Sequence, residues 1–235
     1  MTERGMIFNS EMVRAILDGR KTQTRRIMAP QPADDIERGI FPNPEVIGWK
    51  SSRRHKHGST TAHFCPYGKP GDRIWVREAF RVHSRATDVA TLVYKASERN
   101  SWTEQTHRVP VAVCNKPATP EKWTPSLHMP RWASRILLEI TDVRVERLNT
   151  ISEEDAQREG VHTEVWDQTV VARNYAASDE FFQFWSEDMP HHVEMNQLYR
   201  SSFRSLWESI YGEESWKANG WVWVISFERI EGGAA

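Results

Sequence analysis

Two short segments carry the residues whose types and spacing could do chemistry. The first is Gly19-Arg20-Lys21-Thr22-Gln23-Thr24-Arg25-Arg26. A lysine just beyond a helix end, close to a threonine hydroxyl, can take that hydroxyl's proton if it is desolvated. The same string can also be read as a solvated basic turn with no chemistry. The second segment is Glu153-Glu154-Asp155-Ala-Gln-Arg-Glu159-Gly160. Its first three acids sit where a helix dipole favours anions, and Glu159 sits in the last turn, where it does not. Such a carboxylate is harder to ionise or has a cationic partner.

The elements that must position these residues are legible in outline. Asn9 or Ser10 can cap a helix bearing Met12, Val13, Ile16 and Leu17 on one face, and Gly19 ends it. An extended run after Lys21 puts Thr22, Thr24 and Arg26 on one face, and Gln23 and Arg25 on the other. Thr150 and Glu153 have capping-box spacing, which predicts a short helix beginning there and ending at Gly160. Strands are expected over 73–80 and 136–145, with a phase slip at Asp142, and a buried one over 221–227. Weaker strand signals lie at 91–94 and 109–113. A helix is expected over 198–211, stopped by Gly212. Residues 29–70, punctuated by six prolines, read as irregular, and 163–196 show no sustained period. Few long helices and several strands point to a single α+β domain over 1–235.

With 235 residues, the chain can bury one sizeable core. Its formal charge of −1 hides a division. Residues 1–135 carry 23 Lys and Arg against 13 Asp and Glu, and the remainder carries 8 against 19. The basic part either neutralises the acidic part by packing or meets a polyanion such as RNA or DNA. Most of the 11 tryptophans are expected in the core, although aromatic faces can also stack on bases. Two cysteines, Cys65 and Cys114, fit a reducing cytoplasm, and no segment approaches a membrane span. No Gly-rich phosphate loop or Gly-x-Ser-x-Gly turn is present. His55, His57, His63 and Cys65 offer zinc-ligand types in no standard spacing, and His191-His192 is weaker still, so no metal is expected.

Ile16-Leu-Asp-Gly-Arg-Lys-Thr-Gln-Thr-Arg-Arg26 resembles the signature of the ASCH domain of the PUA-like superfamily, especially in small bacterial N4-acetylcytidine amidohydrolases. The similarity continues at Gly71-Asp72-Arg-Ile-Trp-Val76, at Ile151-Ser-Glu-Glu-Asp-Ala-Gln-Arg-Glu159-Gly160 and at the final strand. Cys65-Pro-Tyr-Gly-Lys-Pro-Gly-Asp72 and Met129-Pro-Arg-Trp-Ala-Ser-Arg135 resemble segments of longer ASCH proteins, often encoded by phages or prophages. The resemblance implies a mixed β-barrel with flanking helices, carrying insertions at about 28–70, 83–130 and 162–197. It also implies a catalytic set of Lys21, Thr24 and Glu159, with no cofactor. Position 25 departs from the small enzymes, being Arg where they carry an apolar residue.

The leading expectation is therefore a cytoplasmic hydrolase of an N-acylated nucleobase or nucleoside. Thr24 would be its nucleophile, Lys21 the base and Glu159 the acid or base. Arg20, Thr22, Arg25, Arg26, Arg131, Trp132 and Arg135 are the candidate contacts to a modified nucleoside, RNA or DNA. A module that binds nucleic acid without catalysis, through Arg25, Arg26, Arg53, Arg54, Arg131 and Arg135 with Trp132 to stack on a base, is the alternative. A single-stranded RNA nuclease using Lys21 and Glu159 is a third reading.

Overall fold

Local hydrogen bonding sets the elements that flank the candidate residues. In chain order they are β1 (Glu3–Ile7), α1 (Ser10–Leu17), β2 (Gln23–Ile27), β3 (Ile36–Asn43), β4 (Gly48–Arg53), β5 (Thr60–His63), β6 (Arg73–Arg77), β7 (Phe80–Arg85) and β8 (Val89–Tyr94). They continue with α2 (Trp102–Gln105), β9 (Thr106–Pro110), β10 (Leu137–Arg147), α3 (Glu153–Arg158), β11 (Thr163–Trp166) and β12 (Thr169–Asn174). The last are β13 (Glu180–Phe184), β14 (His192–Val193), α4 (Leu198–Tyr211), α5 (Glu213–Lys217) and β15 (Trp221–Ile230). The computed structural model describes residues 1–33, 36–43, 48–53, 60–177, 179–184, 192–193 and 197–230. Arg54, His55, His57 and His191 lie outside the described residues, as do the side chains of Arg53 and His192. Among the described residues no helix is long and apolar enough to cross a membrane.

The fold is mixed α+β, and packing divides the chain into two compact units. Met1–Gly19, Pro70–Thr141 and Phe227–Ala235 form the first, and Arg20–Lys69 and Asp142–Ser226 form the second. In the first, β6 pairs parallel with β1 and antiparallel with the start of β10, where Leu138 faces Ile74. Strands β7, β8 and β9 make an antiparallel sheet. Its core gathers Phe80, Val82, Leu92, Tyr94, Met129 and Ala133. In the second unit β2 runs antiparallel to β15, with Thr24 opposite Ile225 and Arg25 opposite Val224. There Leu148, Ile151, Ala156, Phe203, Trp207, Val222 and Val224 form the core. Burying each of the larger apolar side chains contributes about 1.5–3 kcal/mol.

Several expectations need correction. The mixed barrel does not close among the described residues, because the remaining strands pair locally in separate open sheets, β3-β4-β5, β7-β8-β9 and β11-β12-β13-β14. The stretch read as irregular contains the first of these sheets, and 163–196 contains the last. The β11–β12 hairpin turns on Asp167 and Gln168, both at positive φ (45° and 71°), without the Asn-Gly or Asp-Gly pair that advertises such a turn. The strand expected over 73–80 is two, β6 and β7. The burial phase of β10 changes across Thr141 and Asp142, both exposed, where the chain passes from one unit to the other.

The cap of α3 also differs. Thr150 spends its hydroxyl on the Arg147 carbonyl (2.7 Å), and Ser152 accepts the Asp155 N–H (3.1 Å). Glu153 is thereby freed to accept the N–H groups of Tyr199 (2.8 Å) and Arg200 (3.0 Å), at the start of α4. Ser152→Ala should therefore lower the unfolding free energy by about 1 kcal/mol in urea titration. No loss in that variant, or an equal loss in Thr150→Ala, would contradict this assignment.

Candidate active site

Lys21 lies between the end of α1 and the start of β2. Gly19 takes φ +75°, which L side chains rarely adopt, and turns the chain there. Thr22 then donates its N–H to the Arg158 carbonyl (3.0 Å), tying the strand entrance to the last residue of α3. Glu159 caps the C-terminus of α3, and Gly160, at φ +82°, ends it. The carbonyl pole of this helix attracts cations. Lys21 Nζ donates to the Glu159 carbonyl (2.8 Å), and Arg20 Nη1 donates to the carbonyls of Gly160 (3.1 Å) and Val161 (3.4 Å).

Lys21 Nζ also donates to Glu159 Oε2 at 2.9 Å. The two side chains are 0% and 3% exposed, so this is a buried ion pair. The cationic partner expected for a carboxylate at a helix C-terminus is thus Lys21. Burial pulls the Lys21 ammonium below its ordinary value, aided by the charges of Arg26 and Arg25 and opposed by Glu159.

Arg25 enters the same cluster. Its Nη1 donates to Glu159 Oε1 (3.2 Å), and its Nη2 donates to Glu146 Oε2 (2.9 Å) and Asp155 Oδ2 (3.0 Å). Arg144 completes the group, donating to Glu146 Oε1, Asp155 Oδ2 and Gln23 Oε1. Three cations, Lys21, Arg25 and Arg144, thus face three carboxylates, Glu146, Asp155 and Glu159. Gln23 and Arg25 share a strand face, as alternation requires. Gln23 Nε2 is buried and has no hydrogen-bond partner among the described residues.

The other sequence candidates are placed differently. Thr24 is 1% exposed, on the face of β2 opposite Gln23 and Arg25, and no hydrogen bond joins it to Lys21. Thr22 is exposed. Arg26 Nη1 donates to the Tyr211 hydroxyl at 3.4 Å. In the first unit, Arg131 pairs with Glu3 (2.9 Å), and Trp132 packs edge-on to Phe80. Arg135 forks onto Glu78 (2.9 and 3.1 Å), bonds Ser97 Oγ and lies 4.0 Å over the Tyr94 ring. Burial pushes the Glu78 carboxyl up against the opposing pull of Arg135.

Sequence reasoning missed Arg144, Glu146 and Asp155, and also a cavity of about 390 Å³ in the second unit. Met28, Pro30, Ser51, His63, Phe64 and Trp223 line that cavity, whereas Lys21 and Glu159 do not. Within it Ser51 Oγ and His63 Nε2 lie 2.8 Å apart, so His63 has a hydrogen-bond partner there. Among the described residues no group of three His, Cys, Asp or Glu side chains could hold a metal ion.

Removing Arg25 takes one buried cation from three carboxylates at once, leaving Arg144 to serve Glu146 and Asp155 and Lys21 to serve Glu159. Arg25→Met should therefore lower stability by about 3–5 kcal/mol in denaturant titration. A loss below about 1 kcal/mol, typical of exposed ion pairs, would show that the cluster is weakly coupled. Burial would raise the Asp155 carboxyl, but its bonds to Arg25 and Arg144 override this and hold it below its ordinary value. Its contribution to stability is present above the unfolded-state pKa and is lost as pH falls through the folded value. Asp155→Asn should flatten the acid limb of the stability curve, and an unchanged limb would contradict the linkage.

Comparison with family models, with curated proteins and with solved structures gives no match to this chain.

Proposed function

We propose that the second unit hydrolyses an acyl amide on a modified nucleobase or nucleoside of the N4-acetylcytidine kind, within an ASCH-like, PUA-related fold. The observation that carries this reading is the buried contact between Lys21 Nζ and Glu159 Oε2, across a sequence separation of 138 residues. A lysine accepts a proton only when neutral, and desolvation favours the neutral form.

In the proposed sequence Thr24 Oγ attacks the acyl carbon and its proton passes to neutral Lys21. Collapse of the tetrahedral intermediate expels the exocyclic amine, which takes that proton from Lys21. Water then cleaves the acyl-threonine ester, giving a carboxylic acid and restoring the hydroxyl. Before substrate arrives, Glu159 holds Nζ by its carboxylate and its carbonyl. Gln23 Nε2, a buried donor without a partner among the described residues, suits a carbonyl oxygen of the substrate. Arg26 suits the developing oxyanion or a phosphate. Lys21 has no exposed side-chain surface and Thr24 lies across the strand, so substrate arrival must open the pair and bring base and hydroxyl together. Such contacts commonly form only in the complex.

Incubation with N4-acetylcytidine should release cytidine and acetate, and Lys21→Ala should reduce the rate at least about 100-fold, the usual scale of lost acid–base catalysis. The wild-type rate should rise with pH through an inflection below 10.5, because the neutral lysine is the active form. No release of cytidine, or full activity in Lys21→Ala, would overturn the proposal.

A further inference from the structure

We propose that the first unit binds a nucleotide, phosphate and base together, in a cavity of about 350 Å³ formed by β7 and the loop over 116–128. Val82, Lys116, Thr119, Lys122, Trp123 and His128 are among the residues that line it. The site is separate from the Lys21 cluster and independent of the amide-hydrolysis reading.

Three observations converge on this ligand. The first is charge. Among the described residues no carboxylate lines the cavity, and neither Lys116 nor Lys122 forms an ion pair with one of them. Glu121, between them in sequence, is exposed and does not line it. Two ammonium groups with no carboxylate beside them favour an anion, and a lysine acts on phosphate as a compact point charge. The second is the aromatic surface. Trp123 lines the cavity, and the Arg81 guanidinium lies 4.5 Å over its ring, which adds positive charge beside it. Indole faces take up nucleobases with little regard to base identity.

The third is preorganisation. Thr119 donates its N–H to the Val82 carbonyl (2.8 Å), and Thr124 and Phe80 exchange backbone hydrogen bonds (2.7 and 3.1 Å). Arg85 Nη1 bonds the Lys116 carbonyl (2.7 Å). Pro117, Pro120 and Pro125 restrict the backbone further. The loop is thus sewn to β7 before any ligand arrives, which reduces the ordering cost of binding. The volume lies near the lower end for small-molecule sites, where one nucleotide fits better than two. The same chemistry is offered by a free mononucleotide and by one residue of a single strand.

Calorimetric titration of the full chain with cytidine 5′-monophosphate, cytidine, inorganic phosphate and a cytidine hexanucleotide tests this. The monophosphate should bind at least about tenfold more tightly than cytidine or phosphate alone. Lys116→Ala with Lys122→Ala should weaken it about tenfold or more while leaving cytidine unchanged, and Trp123→Phe should retain most of the affinity. Circular dichroism of the lysine variant should match wild type, since Lys122 is exposed and the Lys116 side chain bonds no described residue. A hexanucleotide about tenfold tighter than the monophosphate assigns the site to a strand, and equal affinity assigns it to a free nucleotide. Phosphate binding as tightly as the monophosphate, no binding at millimolar concentration, or affinity indifferent to both lysines would overturn the proposal.

Discussion

The ammonium of Lys21, held out of water against Glu159, is the interaction on which the proposed chemistry depends. Taking either charge from water costs several kcal/mol, and the attraction between them offsets this only with good geometry and further hydrogen bonds. Both conditions are met. Lys21 Nζ bonds the carboxylate and the carbonyl of one residue, and the second carboxylate oxygen is taken by Arg25. Glu146, Asp155 and Arg144 extend the group until cations and carboxylates balance. The balance also bears on chemistry, because Arg25 shares Glu159 with Lys21 and so weakens the hold of that carboxylate on the ammonium proton. An apolar residue at position 25 would leave Glu159 to Lys21 alone.

Backbone geometry places this group as much as side-chain type does. The short helix α3 ends at Glu159 and turns away at Gly160, leaving carbonyls that need donors. Arg20 and Lys21 supply them at the entrance to β2, and the Thr22 N–H ties the same strand to Arg158. The basic string therefore has a structural duty, completing a helix end, alongside its proposed catalytic one. Arg135 in the first unit illustrates structural duty alone. Its fork on Glu78 and its stacking on Tyr94 commit the guanidinium to the interior.

Lys21 and Glu159 stood out in the sequence because each was anomalous for its place, a lysine beyond a helix end and a glutamate at the wrong pole. Alternation along β2 correctly put Gln23 and Arg25 together. Asp155 looked like an ordinary first-turn acid, and nothing local singled out Arg144 or Glu146, so their convergence left no mark in the sequence. The helix over 198–211 was readable from its apolar face and the glycine after it. The short sheets were legible only in part, because most of their strands have four to six residues of mixed polarity and carry little periodic signal, and the Asp167-Gln168 turn lacks glycine. Thr150 misled by matching a spacing that Ser152 satisfies instead. The cavity beside Trp123 depends on a loop folding back onto β7, a contact across about 40 residues that periodicity does not encode.

The most direct test is a heteronuclear NMR titration of the Lys21 side chain, with its Nζ and Cε labelled and assigned by comparison with Lys21→Arg. The account predicts a midpoint below the ordinary lysine value of 10.5, moving upward when Arg25 is replaced by Met. A midpoint at or above 10.5 would mean that Glu159 outweighs burial and the arginines, and that Lys21 is a structural cation rather than a base.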